Sequence, residues 1–366
     1  MIAVGRLTFG GAAVALLLLV TAGTAIADTV RDRQWHLVSL GIADAHKVSQ
    51  GESVIVAIPD TGVDTRHAEL TTAVLSGKGL GEGNTTDGRT DTDGHGTAVA
   101  GLIAGRGLPN GGGVLGIAPK SMILPIQTTR GGDSIGSPAL LAEGVDWATT
   151  HGAKVICIAA VTNEDPRLQE AVERALTADV VVVAGVGNTP EQTEVGFPAK
   201  LPGVLAVGGT GRNSEHASIS ATGPETLVAA PAADIVSTRP AGQYASGSGT
   251  SYATAIVSGV VALVRAKFPG LSGPEVVRRI TATAVDKGKP GRDEEFGFGV
   301  VDPLAALTAT LPSAAPQVSA VPSEVGSGPV GGGGGVGGWG VWIGVVGVVA
   351  VGVVGVLRWR RWRAGS

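Results

Sequence analysis

The sequence predicts an α/β protein with a doubly wound, mostly parallel sheet and helices on both faces. Short apolar runs rich in β-branched residues alternate along the chain with amphipathic runs of helical spacing. The apolar runs contain almost no polar residue and are bounded by Gly, Pro or Asp, which is typical of strands buried on both faces. Functional groups in such folds lie beyond the carboxyl ends of the strands.

Five runs are predicted as strands and four as helices. The strands, in chain order, are SVIVAIPD, SMILPIQ, KVICIAA, DVVVVAG and GVLAVGG. The helices are GTAVAGLIAG, SPALLAEGVDWATTHG, RLQEAVERALTA and YATAIVSGVVALVRAKF. Because strands and helices alternate along the chain, they indicate a layered α/β domain.

The two ends of the chain have the features of an exported, membrane-anchored protein. Residues 1–27 carry one Arg, an apolar run and a small-residue cleavage site ending at Ala27, which predict a signal peptide. An uncut anchor is the alternative, but the apolar run is shorter than a spanning helix needs. Residues 339–357 carry no charge and predict one C-terminal transmembrane helix, with a buried core helix as the alternative. The Arg-rich tail 358–366 predicts the cytoplasmic side.

Between these ends, residues 28–310 form the predicted globular domain and residues 311–338 a linker. The linker is rich in Pro, Ser and Gly and has too little apolar surface to fold. A net charge of −4 provides no basic field for nucleic acid, so no nucleic-acid partner is expected. The single cysteine, Cys157, excludes an intramolecular disulfide, and its strand-like surroundings favour a buried thiol over a reactive one.

Three polar residues stand where such a fold exposes reactive groups. Asp60 ends a predicted strand, His95 lies between glycines before a helix, and Ser251 follows SGSGT at the start of another. Taken singly, each has a structural explanation as a cap or turn residue. Together they supply the nucleophile, general base and orienting group that acyl transfer by serine requires. A histidine base predicts that activity falls on the acid side of neutrality.

The segments VAIPDTGVD, DGHGTAVAGLIAG and GTSYATAIVSG resemble the three signature blocks of the subtilisin-like serine proteases, in that family's Asp, His, Ser order. Further likeness covers nearly all of residues 34–309. The resemblance implies hydrolysis of protein or peptide substrates by Asp60, His95 and Ser251, without a cofactor. It also implies that the Asn188 side-chain amide donates to the oxyanion, a turn residue being the alternative.

The resemblance further implies a substrate-binding cleft. Its candidate residues are Gly131, Gly132, Ala159, Ala160 and Val161. Many relatives have Gly where this chain has Val161, so we expect a narrowed primary pocket that prefers small or medium apolar side chains before the cleaved bond.

The segment LPNGGGVLG resembles a loop that holds calcium in some relatives. Asn110 and Glu69 would then be candidate ligands, beside backbone carbonyls. Because a turn rich in Gly needs no ion to form, no metal is assigned to the chain.

The whole layout is similar to the mycosins, membrane-anchored subtilases of actinobacterial type VII secretion systems. The shared features are a signal peptide, RQWHL near the mature start, a catalytic domain, a Pro-rich linker, one span and a basic tail. The paired cysteines usual in that group are missing. The resemblance implies a single-pass protein of the cell membrane, with an extracytoplasmic catalytic domain and a type VII secretion complex as partner. A structural or docking role, with proteolysis secondary, is the alternative.

Overall fold

A parallel sheet forms the centre of the computed structural model, which describes residues 30–109, 111–129 and 137–312. Its strands are β1 (Ile55–Asp60), β2 (Lys78–Gly79), β3 (Met122–Gln127), β4 (Val155–Ile158), β5 (Val181–Gly185), β6 (Leu205–Thr210) and β7 (Val228–Pro231). They lie in the order β2-β3-β1-β4-β5-β6-β7, and all neighbours are parallel. The predicted parallel sheet is confirmed.

Helices cover both faces of the sheet, as predicted. They are α1 (Trp35–Ser39), α2 (Ile42–Ala45), α3 (His95–Ala104), α4 (Pro138–Thr150), α5 (Pro166–Thr177), α6 (Thr250–Lys267), α7 (Gly273–Ala282) and α8 (Pro303–Thr308). Side chains of β4 alternate between two apolar cores, because successive residues of a strand point to opposite faces. Val155 and Cys157 join α3 and α6 in one core, whereas Ile156 and Ile158 join α4 and α5 in the other.

The sheet has its topological switch point at β1, which lies between β3 and β4. From β1 the chain passes to β2 and β3 on one side of this strand and then crosses to β4 on the other side, so a crevice opens at the carboxyl end of β1. Asp60 is the last residue of this strand. The fold therefore places Asp60 where an open α/β sheet binds its ligands.

Some elements were not predicted from the sequence. They are β2, β7, the antiparallel hairpin β8 (Ile235–Arg239) and β9 (Gln243–Gly247), and the helices α1, α2, α7 and α8. The β9 residues QYASG are mostly exposed and lack the apolar alternation on which a strand prediction depends. Helix α7 does carry a local signal, a capping box in which Ser272 and Glu275 bond each other's backbone N–H groups.

The Cys157 thiol is fully buried in β4, as expected. Burial raises its pKa to about 12, so the thiol stays protonated and unreactive. In the described ranges, no helix combines the length and apolar character needed to cross a bilayer. The predicted signal peptide (1–27) and span (339–357) lie outside those ranges.

Candidate active site

The carboxylate of Asp60 holds the imidazole of His95. Asp60 ends β1 and His95 begins α3, and both carboxylate oxygens lie 2.9 Å from His95 Nδ1. The Asp60 side chain is 4% exposed and that of His95 is 35% exposed. A buried carboxylate at Nδ1 favours the tautomer with its proton there. The Nε2 atom is then left as the acceptor.

Two glycines allow α3 to begin against the end of β1. Gly94 precedes His95 with a φ of 101°, a conformation that favours glycine. A Cβ on Gly96 would collide with the carbonyl oxygen of Gly62 and lie 3.1 Å from Asp60 Oδ1. The glycines around His95 therefore let the helix approach the strand closely enough for the imidazole to reach Asp60.

Asp91 also fixes the start of α3, and the sequence analysis missed it. Its buried carboxylate accepts from the N–H of Gly94 at 2.8 Å and from the N–H and hydroxyl of Thr97 at 3.0 and 2.6 Å. Asp91 lies before the N-cap position, which Gly94 occupies, so the usual capping pattern does not mark it in the sequence. Asp91 is a positioning residue for His95.

The charge of Asp60 raises the pKa of His95 to about 8. The hydrogen bond to Asp60 and the charges of Asp93 and Asp91 act in the same direction, whereas burial opposes them. Below this pH the imidazolium form dominates, and it cannot accept a proton.

Ser251 lies in the first turn of α6 and is partly exposed. Its hydroxyl makes no hydrogen bond to His95 or to any other residue in the described ranges. Nucleophile–base hydrogen bonds are often long when no substrate is bound. The structure thus brings Asp60 and His95 into contact but leaves the Ser251 hydroxyl unbonded.

Asn188 lies beside Ser251, three residues after β5. Its Oδ1 accepts from the N–H of Thr250 at 2.8 Å and from the Thr250 hydroxyl at 3.1 Å, which leaves the amide N–H groups as donors. A Cβ on Gly249 would lie 3.4 Å from Asn188 Nδ2 and 3.5 Å from Ser251 Oγ. The amide nitrogen and the hydroxyl therefore border one space above Gly249.

The candidate cleft residues Ala159, Ala160 and Val161 directly follow β4. A Cβ on Gly196 would lie 2.5 Å from Val161 Cγ1, and one on Gly187 would lie 3.3 Å from Val161 Cγ2. The Val161 side chain therefore fills the space between its own segment and these two glycines. Two other candidates, Gly131 and Gly132, lie outside the described residues.

Of the two candidate calcium ligands, Glu69 and Asn110, the structure describes only Glu69. The Glu69 side chain is fully buried, its carboxylate accepts from Tyr244 Oη at 2.5 Å and Val114 N at 3.1 Å, and its Oε2 lies 2.6 Å from His67 Nδ1. Asn110 lies outside the described residues. Among the residues that are described, no group of three or more His, Cys, Asp or Glu side chains is arranged to hold a metal ion.

Comparison with known proteins identifies the family. Residues 51–299 match the Subtilase family. The chain is a subtilase. This subtilase is 37% identical to subtilisin DY of Bacillus licheniformis over 261 residues, which cover 70% of this chain and 92% of that protein. It is therefore a serine protease of the subtilase family with a subtilisin-like α/β fold.

The subtilase is also similar to mycosins. It is 34% identical to mycosin-1 of Mycobacterium tuberculosis over an alignment of 337 residues, covering 77% of this chain and 74% of mycosin-1. The solved structure of MycP1 without its N-terminal propeptide matches with a TM-score of 0.68 and 32% identity, over 76% of this chain and 98% of that one. The MycP3 protease from the type VII (ESX-3) secretion system matches with a TM-score of 0.66 and 32% identity, over 75% and 88%.

Proposed function

We propose that this subtilase is a membrane-anchored, extracytoplasmic endopeptidase that cleaves proteins through Ser251, His95 and Asp60. The Asp60–His95 contact at the carboxyl end of β1 carries the proposal, because it orients a base whose free nitrogen is able to accept a proton. The similarity to mycosins supports a link to type VII secretion.

The chemistry begins at the Ser251 hydroxyl. Its Oγ attacks the peptide carbonyl carbon while His95 Nε2 takes the hydroxyl proton, and the carbonyl electrons move to the oxygen. The tetrahedral intermediate then expels the amine, which receives that proton from His95. Water attacks the resulting acyl-enzyme in the same way and regenerates Ser251. Throughout, Asp60 keeps its bond to Nδ1–H and stabilises the imidazolium.

Asn188 would stabilise the negative oxygen of the intermediate. Its Oδ1 is held by Thr250, which turns the amide N–H groups towards the space beside Ser251. The N-terminus of the 18-residue helix α6 lies at the same place and adds a partial positive charge. Donors that are already oriented act mainly on the transition state, where the negative charge appears.

A fluorophosphonate probe tests the enzymatic proposal, because it forms a covalent bond only with an activated serine. The full chain should be labelled, and Ser251→Ala should abolish labelling. Ser246→Ala removes an exposed hydroxyl of β9 and should keep it. Folded parent protein that does not react with the probe would contradict the proposal.

A second role, as a structural component of a secretion complex, is favoured by one comparison. A solved serine protease, MycP1, is described as an essential component of the type VII (ESX-1) secretion system, and matches with 32% identity and a TM-score of 0.66 over 75% of this chain and 88% of that one. Complementing a deletion strain with Ser251→Ala separates the two roles. Restored secretion would indicate a structural function, whereas lost secretion would show that proteolysis is required.

The proposed topology places residues 28–338 outside the cytoplasm and residues 358–366 inside. It rests on the signal peptide (1–27), the catalytic domain (28–310), the linker (311–338) and the span (339–357) read from the sequence. Protease added to intact spheroplasts should degrade the catalytic domain. Complete protection, with digestion after lysis, would contradict this topology.

A further inference from the structure

Arg31 lies just before α1 and binds a glycine-rich loop far away in the chain. Its Nε donates to the carbonyl oxygen of Gly113 at 2.9 Å, and its Nη2 donates to that of Gly112 at 3.1 Å. The described residues of this loop, 107–109 and 111–114, lie between Arg106 and Leu115, which form an antiparallel bridge. Two hydrogen bonds from the Arg31 guanidinium therefore join the N-terminal segment to this loop.

The buried carboxylate of Glu69 lies against the same loop. It accepts from the N–H of Val114 at 3.1 Å. A buried carboxylate is costly unless it is hydrogen-bonded and has positive charge nearby. Burial lowers the pKa of the Arg31 guanidinium, and the negative charge of Glu69 opposes that effect, so the two charges act on each other.

Two glycines leave the space that these side chains use. A Cβ on Gly107 would lie 2.5 Å from Arg31 Nη2, and a Cβ on Gly113 would collide with Glu69 Oε1. Both glycines have positive φ, at 68° and 69°, which favours glycine at these positions. The loop is therefore shaped around a guanidinium at Gly107 and a carboxylate at Gly113.

We infer that the Arg31 guanidinium supplies the positive charge that this loop binds, and that it occupies the position that a calcium ion would need. Backbone carbonyl and carboxylate oxygens are the ligands that calcium prefers. A guanidinium is positively charged, so it repels a metal cation, and it has only donors, so it bonds the same carbonyls. With Arg31 in place the loop needs no calcium. Without it the Gly113 carbonyl loses this donor and becomes available to a calcium ion beside the Glu69 carboxylate, whose oxygens also contact Tyr244, Val114 and His67.

Thermal unfolding of the full chain tests the inference in EDTA, calcium chloride and magnesium chloride. The parent Tm should be the same in all three. Arg31→Gln should lower the Tm in EDTA by about 5 °C, because it removes two charge-assisted hydrogen bonds. Calcium should restore part of the loss and magnesium should not, since magnesium demands a tighter octahedral set of ligands.

Two further variants and a binding measurement complete the test. Arg33→Gln removes an equal charge from an exposed neighbour and should leave the Tm unchanged. Arg31→Lys keeps the positive charge but lacks the planar guanidinium that bonds two carbonyls at once. Its Tm should therefore be intermediate, and calcium should not change it. Calorimetric titration with calcium should detect binding to Arg31→Gln only. A Tm of Arg31→Gln equal to that of Arg33→Gln, a loss that calcium does not reverse, or equal calcium stabilisation of the parent would each overturn the inference.

Discussion

The two halves of the candidate site are built in different ways. Asp60 and His95 are joined by direct contacts of 2.9 Å, and the carboxylate is buried. Asn188 and Ser251 instead border an open space above Gly249, and in the described part of the chain neither the amide nitrogen nor the hydroxyl has a hydrogen-bond partner. In the proposed mechanism, the base is therefore oriented before substrate arrives, whereas the nucleophile and the amide are left to bond the substrate.

The largest expected effect comes from removing the base. His95→Ala should lower kcat by about 10⁶, because a triad acts as a unit. Asp60→Asn should cost about 10⁴, since it favours the wrong imidazole tautomer. Both are measured as kcat on a peptide substrate, with His151→Ala, an exposed histidine after α4, as the control. A loss below tenfold in His95→Ala would remove the Asp60–His95 pair from the mechanism.

On the nucleophile side, Asn188→Ala should lower kcat by about 10²–10³ and leave KM nearly unchanged. It should also lower the Tm, because the Asn188 carbonyl bonds the N–H of Thr250 at the start of α6. Asn188→Asp keeps an acceptor for Thr250 but loses the amide donor, so turnover should fall while the Tm falls less. If Asn188→Asp turned over like the parent, the amide would have only a structural role.

An intermediate effect is expected in the cleft, at Val161. Val161→Gly should increase kcat/KM for large side chains before the cleaved bond, relative to alanine, by roughly 10–200-fold, because it removes the methyl groups that pack near Gly196 and Gly187. Peptide-library profiling of parent and variant measures the change. Val38→Gly is the control, since it makes the same substitution at an exposed valine of α1. A parent that already prefers aromatic residues would contradict this reading of the cleft.

The smallest effect concerns pH. The kcat/KM of the parent should rise with a midpoint near pH 8, because His95 must lose its proton to act as the base. The sequence alone led us to expect this change on the acid side of neutrality, and the charge of Asp60 moves it upward. Asp93→Asn removes a negative charge that favours the imidazolium and should lower the midpoint, by less at high salt.

The control for the pH prediction is Asp32→Asn, which alters an exposed carboxylate of the N-terminal segment. Its midpoint should equal that of the parent. A parent activity that does not change between pH 6 and 9 would argue against a histidine base, whatever the behaviour of Asp93→Asn.

Sequence reasoning worked best where chemistry and local pattern agree. Asp60 ends a predicted strand, His95 and Ser251 directly precede predicted helices, and the three segments around them, in this order, carry the resemblance to the family. The supporting contacts were harder to predict, because they join distant segments. Asn188 bonds a residue 62 positions away, and Arg31 bonds carbonyls more than 80 positions away. Neither pairing leaves a periodic signal in the sequence.

The unpredicted strands have a related explanation. The four residues of β7 are Val, two Ala and Pro, and those of β9 are mostly exposed, so neither shows the long β-branched run that marked the other strands. Tertiary contacts decide their conformation instead: β7 completes the sheet beside β6, and β9 pairs with β8.

Because of the Asp60–His95 contact, folding stability and turnover depend on pH in opposite directions. The folded-state pKa of His95 is raised from 6.5 to about 8, so the pair stabilises the folded protein fully below pH 6.5 and loses this effect as the pH rises through 8. The Asp60–His95 pair thus contributes most to folding stability in the pH range where His95 is protonated and unable to act as a base. A protease is also a possible substrate of its own copies. In mild acid, we expect the molecules to stay folded and not to digest one another.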